Sequence, residues 1–238
     1  MAALIDLVMK GGPVMIPIVG FSVATVACAL ERAWYWYRLL TQENRVVQDV
    51  LEFARYNLPE AEAIAEQSQD IPIGRFLLAP LRLRQPSPET FRLAMEAAGD
   101  REFAEMRKGD KLLETTIAVS PLLGLLGTVT GLINTFNNLN IGGGGGEGTS
   151  AQATRAAAGI GEALITTAAG MIVAIMALLI FRMLVSLQAR QMDYFSAAGS
   201  ELELIYRQFW DESEVDDEAD VDAIAPSGSL NPVSVDRR

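Results

Sequence analysis

Three stretches without a charged side chain constrain this chain more than any other feature. They are Gly11 to Leu30 between Lys10 and Glu31, Thr115 to Gly146 between Glu114 and Glu147, and Ala163 to Phe181 between Glu162 and Arg182. Each is long enough to cross about 30 Å of hydrocarbon as a helix. In lipid a backbone must satisfy its own polar groups, which a helix does within a single segment. Half of the 238 residues are hydrophobic and the mean hydropathy is +0.22, too apolar for an ordinary soluble domain. The expected fold class is an all-α integral membrane protein with three transmembrane helices and long cytoplasmic helical extensions.

Orientation follows from the cations near the span ends. Arg32, Arg38 and Arg45 follow the first span, and Arg101, Arg107, Lys108 and Lys111 precede the second. The segment between them is therefore expected to be cytoplasmic. Arg182 and Arg190 follow the third span, while only Arg155 lies between the second and third. The N-terminus is thus expected outside and the C-terminus inside.

The resulting organisation places an N-terminal periplasmic interfacial segment at 1–12, whose apolar Leu4 to Met9 is set off by Gly11-Gly12-Pro13. The first transmembrane helix then covers 13–39, a cytoplasmic helical region 40–113, the second transmembrane helix 114–140 and a glycine-rich periplasmic linker 141–154. The third transmembrane helix covers 155–182, a cytoplasmic helical extension 183–210 and an acidic disordered tail 211–238. Within 40–113, Pro59, Pro72 and Pro86 punctuate amphipathic stretches, as in a small helical bundle that is not a separate domain. Ser87-Pro88-Glu89 reads as a helix start, with Phe91, Leu93, Met95, Ala98 and Phe103 continuing through Leu112 into the second span. Trp34, Tyr35, Trp36 and Tyr37 beside Arg32 and Arg38 form an interfacial aromatic belt. Stacking a ligand there is the competing use.

Several function classes fall away on residue supply. The net charge of −11 is concentrated in the tail Asp211–Asp222, which has no apolar period. No basic patch exists for nucleic acid. The absence of histidine excludes a histidine-based metal site or catalytic triad, and the single cysteine, Cys28, excludes an intramolecular disulfide. No cofactor is implied. A cleaved signal or lipoprotein site at Cys28 competes with an anchor for the first span. Lys10 is the only cation ahead of it and Thr25-Val26-Ala27 precede the cysteine, which favours the anchor. Gly142 to Gly146 reads as a linker; neither a preceding strand nor a following Lys-Ser or Lys-Thr supports a phosphate loop.

Glu162 is the lone carboxylate in an otherwise apolar run from Ala156 to Phe181. A charge at the bilayer centre costs about 2.5–3.5 kcal/mol on insertion scales, so an acid kept there requires a partner, water or a bound proton. At helical spacing Arg155, Ala158, Glu162, Thr166, Ala169 and Val173 share one face of the third span. Pro121, Gly124, Thr128, Gly131 and Thr135 share one face of the second, with Leu122, Leu125, Leu126, Val129, Ile133 and Phe136 over most of the remainder. The small, partly polar stripe is either helix packing or, beside the Glu162 face, one wall of a polar path. Pro121 removes one intrahelical hydrogen bond and is either a tolerated kink or a hinge. Arg155, about two turns from Glu162, is either an interfacial anchor or a shaper of the field for entering cations.

These residues carry a family resemblance. Ser120-Pro121-Leu122-Leu123-Gly124-Leu125-Leu126-Gly127-Thr128-Val129 with Gly131 and Phe136, together with Gly159-Ile160-Gly161-Glu162-Ala163-Leu164 and Thr167 through Gly170, resemble the MotA/TolQ/ExbB proton-channel family, closest to its ExbB/TolQ branch. The resemblance covers all three spans and their order. It implies a multi-pass protein of the bacterial inner membrane, a homopentamer in the lipid bilayer whose second and third helices line a central pore, with the first helix outside facing lipid. It also implies a dimer of single-span ExbD/TolR-like subunits in that pore, supplying a titratable aspartate, with H+ flow driving rotation or rearrangement and work in the periplasm. By motif, Glu162 matches the family's functional glutamate, Thr128 and Thr167 its pore threonines, and Pro121 its second-span proline. Thr166, not Thr167, shares the Glu162 face on a regular helix, so both hydroxyls are candidates for the ion pathway. Gly124, Gly131 and Thr135 would pack the pore face. The polyglycine linker is no part of the family motif. Alternatives are a Na+-coupled stator and a structural scaffold for a partner without ion conduction. An intramembrane hydrolase would need an Asp pair or a Ser/His set at membrane depth, and neither is visible.

Overall fold

The computed structural model describes residues 12–140 and 149–224, of which 138–140, 149–153, 155 and 212–224 by backbone only. The described elements are six helices: α1 Met15–Ala54, α2 Leu58–Gln67, α3 Pro72–Leu81, α4 Pro88–Met106, α5 Asp110–Asn140 and α6 Thr149–Ile224. Among the described residues the only regular secondary structure is helix, and α1, α5 and α6 each contain a run long and apolar enough to cross a membrane. The interfacial segment expected at 1–12, except Gly12, and the polyglycine linker lie outside the described residues, as do 225–238.

The helices form two compact units, one of Met1–Thr41 with Arg101–Asp193 and one of Gln42–Asp100 with Tyr194–Arg238. Residues 42–100 thus belong to a unit of their own with the later part of α6, where the sequence suggested a bundle that is not separate. Its largely aliphatic core is tied by aromatic pairs. Phe91 stacks on Tyr206 at 4.1 Å between centroids and Phe76 meets Phe195 at 4.9 Å. Phe91 and Leu202 are fully buried. The Tyr206 hydroxyl donates to the Pro86 carbonyl at 2.5 Å, which satisfies both polar groups where water is excluded. α4 begins at Pro88 as its capping sequence predicts, with the Thr90 amide donating to Ser87 Oγ at 3.3 Å.

Two expectations are corrected. The helix starting at Pro88 does not run into the second span: it ends at Met106, and α5 restarts at Asp110. Gly109 between them has φ +92°, a left-handed conformation, and a β-carbon there would lie 2.6 Å from Cys28 Sγ. Only glycine supplies both the conformation and the room. The tail expected to be disordered from 211 instead continues α6 to Ile224. Extending an existing helix avoids the cost of nucleation, so Glu- and Ala-containing sequence propagates even without an apolar stripe.

Candidate functional site

α5 and α6 approach each other closely where their small residues coincide. A β-carbon on Gly124 would lie 3.0 Å from Thr167 Cα, one on Gly127 would lie 2.8 Å from Thr166 Cβ, and one on Gly131 3.0 Å from Ala163 Cβ. Gly159 fits against Thr135 and Gly170 against the Ser120 carbonyl in the same way. Small residues let helix backbones meet, and in lipid this close packing, not the hydrophobic effect, holds helices together. The Thr167 hydroxyl then donates across the helix pair to the Gly124 carbonyl at 2.8 Å.

This packing sorts the residues that the sequence placed on one polar face. Gly124, Gly131 and Thr135 face α6 within the protomer, with Thr135 only 8% exposed and its hydroxyl donating to the Gly131 carbonyl at 2.8 Å. Thr166 is 1% exposed, and its hydroxyl donates to the backbone carbonyl of Glu162 at 3.1 Å. Glu162 itself is exposed on the protomer, four residues earlier on the same helix. Thr128 is half-buried and donates to the Leu125 carbonyl at 2.7 Å. Thr167 is half-buried. Pro121 lies inside α5 without ending it, and the neighbouring Ser120 hydroxyl is buried without a hydrogen-bond partner among the described residues. The Arg155 side chain lies outside the described residues.

Sequence reasoning missed three features of this unit. Gly127, one helical step off the expected stripe, is a central contact of the helix pair. Gly12, just ahead of α1, has φ +69° and adjoins the Glu162 carboxyl, with Oε1 2.6 Å from where a β-carbon would stand. The third is a polar joint beside Gly109. Arg32, counted above as an interfacial cation, is 5% exposed, with Nη1 donating to the Glu105 carbonyl at 3.3 Å and Nη2 to Glu31 at 2.8 Å. Its guanidinium also lies 4.9 Å from the Tyr35 ring centroid. Gln188 Nε2 donates to Asp110 Oδ1 and Oδ2 at 3.2 and 3.1 Å and to the Met106 carbonyl at 3.3 Å, tying α6 to both sides of the break. Burial raises the Asp110 carboxyl above its usual range, partly offset by the Gln188 hydrogen bond. The aromatic belt is likewise split: Trp34 and Tyr37 are exposed, whereas Trp36 is buried.

This helix pair lies within a region shared with known proteins. The model of the MotA/TolQ/ExbB proton channel family matches residues 68–197, which include the whole α5–α6 contact and Glu162. The chain belongs to that family. It is 68% identical to the biopolymer transport protein ExbB-like 1 of Synechocystis sp. over 207 residues, 87% of this chain and 80% of that protein. It is 31% identical to the biopolymer transport protein ExbB of Salmonella typhimurium over 81% of this chain and 77% of that one. It is 33% identical to the Tol-Pal system protein TolQ of Haemophilus influenzae over 53% of this chain and 57% of that one. The chain is thus a membrane protein of the ExbB/TolQ branch, whose family description is that of transport and proton channel proteins.

Proposed function

We propose that this chain is the pore-forming subunit of an inner-membrane motor driven by the proton motive force. Glu162 passes protons together with an aspartate on a single-span ExbD/TolR-like partner. In this reading five copies surround a dimer of that partner, with the N-terminus outside and the C-terminus inside. Proton passage drives rotation or rearrangement of the partner and so does work in the periplasm. Thr128 and Thr167 supply hydroxyls along the path, Thr166 fixes the backbone beneath Glu162, and Pro121 is the hinge. Gly124, Gly131 and Thr135 pack the helices that carry the pore face.

The observation that carries the reading is the contrast between Glu162 and its neighbours. Ala163 and Thr166 are buried in the α5–α6 contact, whereas Glu162 is exposed on the protomer beside apolar surface such as Ile160 and Leu164. Beside lipid a carboxylate requires a partner or cation, whereas the neutral acid is tolerated. The test is Glu162→Gln in proteoliposomes containing the partner. Proton flux and work driven by the motive force are expected to vanish while the assembly still purifies intact. Full activity of that variant would remove the mechanism. Flux that follows a sodium gradient would replace H+ by Na+, and an assembled complex that never conducts would favour the scaffold.

A further inference from the structure

Glu162 sits on a backbone that has little freedom to move. Ala163 is 2% exposed against Gly131 and Thr166 is 1% exposed against Gly127, so α6 cannot roll about its axis here without breaking both contacts. The adjustable part is the glutamate side chain, and Gly12 bounds it. A β-carbon at Gly12 would stand 2.6 Å from Oε1 and 3.7 Å from Cδ of Glu162, the first distance being below the 3.0 Å that real β-carbons keep. The backbone of Gly12 is also left-handed, at φ +69°. The conformation favours glycine, and a β-carbon would force the flexible end of the Glu162 side chain to turn away from its present position.

The wall that Gly12 forms is stiff. Pro13 follows it with a fixed φ, the Met15 amide donates to the Gly12 carbonyl at 3.1 Å and the Ile16 amide to the Pro13 carbonyl at 3.4 Å. The turn is thereby welded to the first turn of α1, and a displaced carboxyl cannot push it aside cheaply. Gly20, farther along α1, has nothing within 4 Å of its β-position and provides an internal control.

We propose that Gly12 is a positioning residue for Glu162: the left-handed turn ahead of α1 forms one wall of the space that holds the carboxyl, and so sets the direction in which the acid presents its oxygens. In consequence the first membrane helix takes part in the ion site through its N-terminal turn. That consequence rests on the reading of Glu162 as the ion-carrying acid, whereas the positional contact does not.

The experiment uses the full-length chain in membranes, with Gly12→Ala, Gly12→Asn and Gly20→Ala, each also combined with Glu162→Ala. Asparagine tolerates the left-handed conformation while still carrying a β-carbon, which separates backbone strain from collision. The readouts are assembly and the rate at which a lipid-soluble carbodiimide labels Glu162, followed by mass spectrometry. If Gly12→Ala and Gly12→Asn assemble, labelling is expected to change by about fivefold or more, the equivalent of roughly 1 kcal/mol, and Gly20→Ala to leave it unchanged. If they fail to assemble, removing the Glu162 side chain is expected to restore assembly, because it removes the colliding group. Unchanged labelling in assembled variants overturns the proposal. So does an assembly defect that persists without the Glu162 side chain, which would assign the requirement to the backbone alone. If labelling shifts as expected but Glu162→Gln still conducts, the positional inference stands and the ion-carrying role falls.

Discussion

Gly170 offers the sharpest test of how α5 and α6 are held. A β-carbon there would run into the Ser120 carbonyl and come within 3.2 Å of both Cα and N of Gly124. All three are backbone atoms, so no side chain can swing away and the helices themselves must separate. Overpacking of a close contact costs about 1–3 kcal/mol, and separation also stretches the neighbouring Thr167 hydrogen bond. Against this, alanine gains about 0.5–1 kcal/mol over glycine in a helix interior. That gain shrinks when the unfolded reference keeps its helices, as membrane helices do. Gly170→Ala is therefore expected to lose roughly 1–2 kcal/mol. Gly161→Ala and Gly20→Ala, whose β-positions meet nothing within 4 Å, are expected to be neutral or slightly stabilised. Dodecyl sulfate titration of the purified protein in mild detergent, followed by circular dichroism, measures the difference. A Gly170→Ala midpoint matching those of the two controls would refute backbone contact as the basis of the pairing. A loss at Gly161 alone would instead report contact with another chain.

Three further outcomes follow from named contacts. Thr167→Val keeps the shape but removes the hydroxyl that donates to the Gly124 carbonyl, and should lower the same midpoint by the equivalent of about 0.6 kcal/mol, at most roughly 1.7. Tyr206→Phe keeps the stack on Phe91 and strands the buried Pro86 carbonyl, for a loss of about 1–3 kcal/mol in thermal unfolding of the full chain. Burial raises Tyr206 above the usual 10.0, so its contribution is complete below that value and lost as pH rises through the folded-state value; the phenylalanine variant should show less alkaline destabilisation. Burial likewise raises Asp110 above 3.8, so the stabilisation from its neutral form is present below that pH and lost as pH rises. Asp110→Asn, which keeps an oxygen for Gln188, should gain on the parent between acidic and neutral pH, and an equal pH dependence of the two unfolding curves would contradict this.

What could be read from the residues was the part that rests on long-range periodicity and charge. The three apolar runs locate α1, α5 and α6 because a spanning helix requires length and the absence of charge, and Ser87-Pro88 locates the start of α4 because its chemistry is local. The break at Gly109 was less legible. The apolar spacing continues across it, and the reason for a glycine is a sulfur atom on another helix, Cys28. Gly12 posed the same difficulty. In sequence it is a generic Gly-Pro breaker, and its neighbour Glu162 lies 150 residues later. Helical spacing put Glu162 and Thr166 on one face, correctly as to angle. It could not tell that the third helix meets its partner along an edge of that face, so that the hydroxyl is buried and the carboxyl is not.

That division bears on what other chains can meet. The small stripe of α5, which from the sequence alone was either packing or pore wall, is largely occupied by α6 within one protomer. Gly124, Gly127 and Gly131 have their β-positions filled by Thr167, Thr166 and Ala163. The surface left on α5 is the leucine-rich face, with Leu122, Leu125, Val129, Ile133 and Phe136 each about half exposed or more, and an apolar face of that extent is covered by lipid or by further helices. Two kinds of contact thereby separate. Backbone-close glycine and threonine contacts hold α5 to α6, and bulky, deformable side chains remain for lipid or further helices.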